Sequence, residues 1–471
     1  MQERPTQARL RIHFLVIGTT AAGLASAIAL RRAGHRVTVL DVEDQIANTW
    51  GENGCIIPPS MSKLLLRWLP EEHVRELSVC SRAMLMTKFE SEEVLGLHSW
   101  LEELFRDAGG NILYMHYADV RQLLFDSALS YGATIRPQAR ITSVMFGADG
   151  RPSVRLASGE AIEADVVVGT DGPESVLRRH IAGADVKETA LGMSLFSIPV
   201  PRTAMEGVPE LRPLLERTTS HSWLGSARGA VGHIAGVRPE YALQVYVPAA
   251  GTEAYWGKRV TPAQILEAMG GCEPRLKKLV ELSAGGRCVP LTEPPELETW
   301  VHPGGRLILI GDAAHPFPQQ RGSVNGLAAS VCDAAALGGL FRHLHHAGQV
   351  EPFLHALEAI RREPVRKLLE TDLESYAAIA MPPGAAHELR YRMMKEKHAA
   401  GVEALVGSEP DDVVAAHWEK EKDMYAYDAE DHAAEWWNDW GLLQERAMRQ
   451  ACVVCERVPI CEIVTQSIVV L

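Results

Sequence analysis

The most constraining stretch of the chain is its beginning. Residues 11–17 (RIHFLVI) form a short apolar run, Gly18-Thr-Thr-Ala-Ala-Gly23 follows, LASAIALRRAG continues at helical spacing, and HRVTVLD ends at Asp41. The pattern predicts strand, tight turn, helix and strand. Two parallel strands require such a crossover, and its turn leaves backbone N–H groups free at a helix N-terminus, where the macrodipole favours a pyrophosphate. Asp41 lies 23 residues after Gly18, at the end of the second strand, where a carboxylate accepts hydrogen bonds from a ribose hydroxyl. The fingerprint G-x-G-x-x-G is incomplete, because Thr20 takes the place of its middle glycine between Gly18 and Gly23. Taken alone, the segment leaves two readings open: a dinucleotide-binding unit, or a βα turn whose glycines serve packing only.

Composition narrows the class. A chain of 471 residues is long enough for two or three cores, since a typical domain has roughly 150 residues. Hydrophobic residues make up 46% and charged residues 23%, which excludes collagen-like and disordered chains. Lys plus Arg number 47 against 60 Asp plus Glu, a net charge of −13, so nonspecific binding to nucleic acid or to an anionic membrane is not expected. Eight cysteines are too sparse for a disulfide framework and fit a reducing, cytoplasmic setting. Cys452 and Cys455 form one metal-like pair with no second pair to complete it, so no metal is expected. Arg4, Arg9 and Arg11 ahead of an apolar stretch imitate a signal peptide, but Gly18, Thr19 and Thr20 interrupt that stretch. No window carries the roughly 20 uninterrupted apolar residues of a membrane span.

Two later segments repeat the design of the first. Residues 164–169 (ADVVVG) read as an apolar strand running into Thr170-Asp171-Gly172-Pro-Glu-Ser175-Val-Leu-Arg178. Residues 306–310 (RLILI) read as another, ending in Gly311-Asp312-Ala-Ala-His315-Pro316-Phe-Pro318. Ligands of open α/β sheets sit at such strand ends, where an acid can hold the hydroxyls of a sugar-like chain. In this order and spacing the three segments resemble the FAD-dependent group A aromatic hydroxylases, the salicylate hydroxylase-like and 4-hydroxybenzoate hydroxylase-like family. Gly18 to Asp41 is similar to its N-terminal FAD turn, residues 169–178 (GTDGPESVLR) to its D-G-x-x-S-x-x-R motif, and residues 311–318 (GDAAHPFP) to its G-D-A-A-H-P motif. Residues 52–59 (ENGCIIPP) and 116–123 (HYADVRQL) resemble its intervening segments, and the likeness runs from about residue 11 to about 380.

The resemblance implies an α/β fold with a Rossmann-like FAD-binding domain, and FAD as cofactor with NADPH or NADH as co-substrate. It places Gly18, Thr19, Thr20 and Gly23 at the FAD pyrophosphate, Asp41 at the adenosine ribose, and Asp312 of the Gly311-Asp312 turn at the ribityl chain. Asp171 and Gly172 fall in a motif associated with both FAD and NAD(P)H, and Pro318, Asn325 and Gly326 fall beside the isoalloxazine. Tyr117 stands where the family has an arginine that reaches the flavin, and Arg121, one helical turn on, is the candidate substitute. Asn325-Gly326 replaces Gln-Gly, and Cys332-Asp333 replaces Glu-Asp.

Segments such as SLFSIPVP, GAVGHIAGV and ALQVYVPA, between roughly 183 and 300, alternate or run apolar between Gly and Pro, which predicts a second, mainly antiparallel domain. The expected organisation is a discontinuous FAD-binding domain (1–75, 105–182 and 289–384), a substrate domain (76–104 and 183–288), and a helical C-terminal extension (385–471). Trp418, Trp436, Trp437 and Trp440 in that extension suit core packing, with a pocket wall or a homodimer contact as alternatives. The function implied by the resemblance is a monooxygenase that hydroxylates an aromatic or other electron-rich small molecule with NAD(P)H and O2 through a C4a-hydroperoxyflavin. Epoxidation, oxidative rearrangement or dehydrogenation on the same fold, and a non-catalytic relative with a degraded flavin site, stay open. No catalytic base is assigned: His221 and His233 read as solvent-facing or structural, and His315 as holding its turn.

Overall fold

The computed structural model describes residues 7–43, 54–182, 188–293, 295–319, 323–405, 422–443 and 445–446. The segments around Glu52, Trp418 and Cys452 lie outside the described residues. A five-stranded parallel sheet forms the first body, in the order Leu307–Leu309, Val166–Gly169, His13–Ile17, Arg36–Leu40, Thr134–Arg136. The strands His13–Ile17, Val166–Gly169 and Leu307–Leu309 are almost wholly apolar because both faces of the sheet are covered there, and Phe14, Leu15, Val16, Val167 and Ile308 have no exposure. The helix Ala21–Arg32 covers one face and packs on the long helix Val324–Phe341. Small residues allow that contact: a Cβ added at Gly338 would lie 2.6 Å from the Ala29 Cβ. Val324–Phe341 is long and apolar enough to cross a membrane, but 94% of it is buried inside the protein.

The second body is an eight-stranded sheet in the order Arg259–Val260, Gly286–Glu293, Thr189–Pro201, Glu240–Pro248, Gly229–Ile234, Thr219–Leu224, Ala83–Lys88, Val94–Ser99. Every pair is antiparallel except Thr219–Leu224 with Ala83–Lys88. The expected α/β class with a mostly antiparallel second sheet and C-terminal helices is the fold observed. Its strand Gly286–Glu293 runs across residue 288, where the expected substrate domain ends. One face of the sheet buries Phe196, Trp223, Leu243 and Val245 against the helices Pro262–Met269 and Pro274–Leu282. The other face turns to the helix Val350–Ile379, with Tyr246 and Leu195 packed against Tyr376 and Ala380.

The C-terminal extension packs on both bodies. The helix Ala385–Ala399 lies on the strand Val94–Ser99, and the helix Ala429–Trp436 lies on Val324–Phe341. Trp436 and Trp437 meet Phe353 edge-on, and Trp437 stacks on His343, so these two tryptophans belong to the core; Trp440 is 62% exposed.

Candidate active site

Three strand ends converge on one groove. Gly18 has φ +106°, and a Cβ there would sit 3.0 Å from both the Asp171 Cα and the Thr170 carbonyl oxygen, so the two strands meet this closely only at a glycine. A Cβ on Gly23 would lie 2.0 Å from the Gly18 carbonyl oxygen, so Gly23 seats the helix against the turn. Thr20, in place of the middle glycine, closes the helix start: its hydroxyl donates to the Thr170 carbonyl (2.7 Å) and accepts from the Gly23 amide (3.2 Å). Ala21 and Ala22, in the first turn of that helix, line the groove, and the first amides of a helix have no acceptor within it.

Asp41 gathers the opposite wall. Its Oδ2 accepts from the Thr19 amide (2.6 Å) and the Thr19 hydroxyl, and its Oδ1 from the Glu43 amide (2.9 Å), which leaves lone-pair capacity on Oδ1. Arg121 donates to the Thr19 carbonyl (3.2 Å) and hydroxyl (3.3 Å), while its buried Nε has no hydrogen-bond partner. Asp171 accepts from the Val176 amide (3.0 Å) and keeps a second buried oxygen without a partner. Burial, with the nearby Asp41 carboxylate adding to it, pushes the Asp171 carboxyl above its ordinary value.

Gly18, Thr19, Thr20 and Asp41 therefore line one groove with Arg121, Asp171, Gly172 and Asp312, and Tyr117 lies on the same wall. The donor set suits FAD: orphaned polar atoms on Arg121 and Asp171, a cradle free of Cβ atoms at Gly18 and Gly172, a helix N-terminus, and acids at three strand ends. Gly23, Gly311, Pro318 and Gly326 do not line this groove. Gly326 instead packs on Phe317, whose ring a Cβ would approach to 3.0 Å.

The turn that presents Asp312 is held from below. Gly311 has φ +60° and no room for a Cβ between Ala22 and Ser330. Its amide donates to Asp333 (3.0 Å), and the same carboxylate binds the His315 ring (2.6 Å) and the Arg361 guanidinium (2.7 Å). Asp333 and Arg361 are wholly buried. Burial pushes the Asp333 carboxyl up, but His315 and Arg361 outweigh it and hold the group below its ordinary value. Arg178, from the second motif, donates to the carbonyls of Ala313 (2.9 Å) and Ala314 (2.8 Å), tying that motif to the third. His315 thus serves as a support for its turn. Sequence reasoning gave no role to Arg178, Asp333 or Arg361, although Arg178 stood in the D-G-x-x-S-x-x-R motif and Asp333 in the Cys332-Asp333 pair; Arg361 carried no signal.

A second cavity, of about 260 Å³, opens between the eight-stranded sheet and the helix Val350–Ile379. Alternate strand residues face it, such as Ser220 and Ser222, Met84 and Met86, Gln244 and Tyr246, because strand side chains alternate between faces. His221 consequently points to the opposite face. It is buried, as is His233, and burial pulls each imidazole down to about 4, so both rings are structural rather than solvent-facing. At one end of the cavity Asp372 accepts from Asn325 (2.6 Å), Tyr376 (3.1 Å) and Ser323. Burial and this carboxylate together push the phenols of Tyr246 and Tyr376 well above their ordinary range. Asn325 therefore belongs to the cavity rather than the groove. Asp372 and Tyr376, four residues apart on one helix, carried no motif that would have marked them.

The family profile described as "FAD binding domain" matches residues 11–372. Among curated proteins, the chain is 25% identical to "FAD-dependent monooxygenase OpS4" of Beauveria bassiana over 387 residues, covering 81% of this chain and 89% of that one. It is also 25% identical to "Hispidin-3-hydroxylase" of Neonothopanus nambi over 417 residues, covering 84% and 94%. Among solved structures, CtdE in complex with FAD and a substrate superposes with a TM-score of 0.72 at 19% identity, covering 92% of this chain and all of that one. A salicylate hydroxylase substrate complex gives 0.69 at 17% identity, covering 90% and 97%. The structural likenesses carry the fold, and the profile match spans most of the sequence and all three strand-end motifs: the chain belongs to the FAD-binding monooxygenase family.

Proposed function

We propose that this FAD-dependent monooxygenase hydroxylates an electron-rich aromatic small molecule held in the cavity between the eight-stranded sheet and the helix Val350–Ile379. The observation that carries the reading is that one helix start serves both spaces: Leu327 and Ser330 line the groove, and Val324 and Asn325 line the cavity. In this reading Gly18, Thr19, Thr20 and Gly23 form the pyrophosphate turn, and Asp41 takes the adenosine ribose. Arg121, Asp171 and Gly172 flank the cofactor, Gly311 and Asp312 hold the ribityl chain, and Pro318, Asn325 and Gly326 border the flavin ring. Residues 1–75, 105–182 and 289–384 form the FAD-binding part, 76–104 and 183–288 the substrate part, and 385–471 the extension. When bound, FAD supplies the two-electron chemistry with NAD(P)H and the activation of O2.

The chain's own residues position and shield. The apolar walls Met84, Met86, Leu224 and Met394 exclude water from the reacting ring. Asp372 and the buried phenols Tyr376 and Tyr246 offer the acceptors and donors from which a proton of a substrate hydroxyl can be held or passed. Overall, one oxygen atom of O2 enters the ring, the other leaves as water, and NAD(P)H is oxidised. The expected working place is the cytoplasm, in line with cysteines that include the unbridged Cys55, Cys288 and Cys332.

The test is the absorbance spectrum of the purified protein after incubation with FAD, followed by a panel of phenols monitored for NAD(P)H oxidation and product mass. A yellow protein, faster NAD(P)H use with one phenol, and a product heavier by one oxygen are expected. A protein that gains no flavin absorbance sinks the reading, and a product two hydrogens lighter turns it into a dehydrogenase.

A further inference from the structure

The family match ends at residue 372, yet one short stretch of the C-terminal extension, residues 424–428 (MYAYD), returns to the body that carries the groove. The Met424 sulfur accepts from the Thr371 hydroxyl (3.6 Å), and Tyr425 lines the cavity. The Ala426 carbonyl accepts from the buried Lys63 Nζ (3.0 Å), and Asp428 pairs with Arg67 (2.5 Å). Held on both sides, Tyr427 meets a buried charge. The Arg361 guanidinium lies over its ring, with Cζ 5.0 Å from the centroid. The exposed His432 stacks on the same ring, 4.5 Å between centroids and 18° between planes. Tyr427 therefore stands between a surface side chain and a wholly buried cation. Burial pushes the Tyr427 phenol up, and the positive charge of Arg361 beside it opposes that shift. The Tyr427 hydroxyl and Arg361 Nη1 stop short of a formed hydrogen bond, so the guanidinium meets the face of the ring.

Arg361 is thinly hydrogen-bonded for a group without exposure. Its Nε donates to Asp333 (2.7 Å), its Nη2 lies 3.4 Å from the Ala329 carbonyl, and its Nη1 has no hydrogen-bond partner among the described residues. Such a cation depends on whatever else faces its charge, and an aromatic face attracts a cation more strongly in a dry setting than in water. Asp333 passes the effect on, because the same carboxylate holds the Gly311 amide and the His315 ring under the turn that presents Asp312. Loss of the ring opens a way for water to Arg361 and loosens its hold on that carboxylate. We infer that Tyr427 is a positioning residue for the flavin: the face of its ring keeps Arg361 on Asp333, and through that carboxylate fixes the turn that carries Asp312. This rests on the reading in which Asp312 holds the ribityl chain of FAD, and it gives the extension a part in binding the cofactor.

The full chain is freed of flavin and titrated with FAD, with binding read from the quenching of flavin fluorescence. Tyr427 is replaced by Phe and by phenylalanines carrying one, two and three ring fluorines, which draw negative charge off the face and change its size little. Tyr427→Phe is expected to bind FAD like the wild type. Affinity is then expected to fall stepwise along the fluorine series, by about 3- to 10-fold at its end, the range of a buried cation–ring contact. A flat series, or a Phe variant as weak as the last member, overturns the inference. Tyr427→Leu is expected to lose at least as much affinity as the last member. Trp437→Leu, which loosens the same extension away from Arg361, is expected to lower the urea midpoint and leave FAD affinity unchanged. Equal loss of affinity in the two leucine variants overturns the inference, and should either fail to fold, the fluorine series decides alone. Failure of the wild type to take up FAD sinks the monooxygenase reading instead. Hydrogen exchange at the Gly311 amide then decides for the ring: faster exchange along the series supports its hold on the turn, and an unchanged rate overturns it.

Discussion

Asp333 binds the Gly311 amide, the His315 ring and the Arg361 guanidinium at once, with no exposure to water. Asp333→Asn leaves Arg361 buried without its counter-charge, which is expected to destabilise the protein by about 3–5 kcal/mol. Urea unfolding measures this, and FAD affinity should fall with it because the turn presenting Asp312 loses its anchor. Thr20 is a smaller case with a sharper meaning. Thr20→Val removes the hydroxyl that links Thr170 to Gly23 and caps a helix, an expected loss of about 1 kcal/mol. Thr20→Gly restores the fingerprint glycine, and no gain in FAD affinity is expected, because the hydroxyl is already committed to the Thr170 carbonyl. A clear gain in a fluorescence titration would show that the Thr20 side chain obstructs the pyrophosphate.

Among elements, the helix pair Ala21–Arg32 and Val324–Phe341 sets how the groove is built, because the first begins at the turn from Gly18 to Gly23 and residues of the second line both spaces. Their closeness depends on Gly338, where a Cβ would lie 2.9 Å from the Ala29 backbone. Gly338→Ala is expected to cost about 1–3 kcal/mol through overpacking, seen as a lower urea midpoint with an unchanged slope. The helix Ala429–Trp436 is fastened at its start by Asp428, which caps it and pairs with Arg67 (2.5 Å), while Glu430 pairs with Arg32 (2.9 Å). Arg67 is partly exposed, so the pair adds little and the cap dominates. Asp428→Ala is expected to lose about 1 kcal/mol and to speed limited proteolysis near residues 422–446, with the five-stranded sheet intact.

For the whole molecule, buried histidines set the response to acid. Burial pulls His35, His221 and His233 down to about 4, against an ordinary value of 6.5. The unfolded chain takes up protons at these positions before the folded protein does. Stability is therefore full above pH 6.5 and is lost as the pH falls toward 4. Each ring contributes a slope of up to about 1.4 kcal/mol per pH unit in that window. Urea midpoints measured from pH 7 to pH 4 should show the decline, and His233→Gln should flatten it by one proton's worth. An unchanged slope in that variant would mean that His233 titrates alike in both states.

The sequence by itself determined the groove. Gly18, Asp41, Asp171 and Asp312 stand at strand ends, and an apolar run that ends in Gly and Asp encodes that placement within a dozen residues, through local backbone geometry and strand periodicity. The parallel crossover then forces those ends to one edge of a sheet. The cavity was decided only by tertiary structure. Its walls come from strands near residues 84 and 222, from a helix at 372–379 and from an extension reaching residue 425. Which face of each strand looks inward depends on the register with partners far away in the chain. The same holds for the pairing of Asp333 with Arg361 under the Gly311 turn: such a contact arises where packed helices meet, and no local pattern of residues records who meets whom.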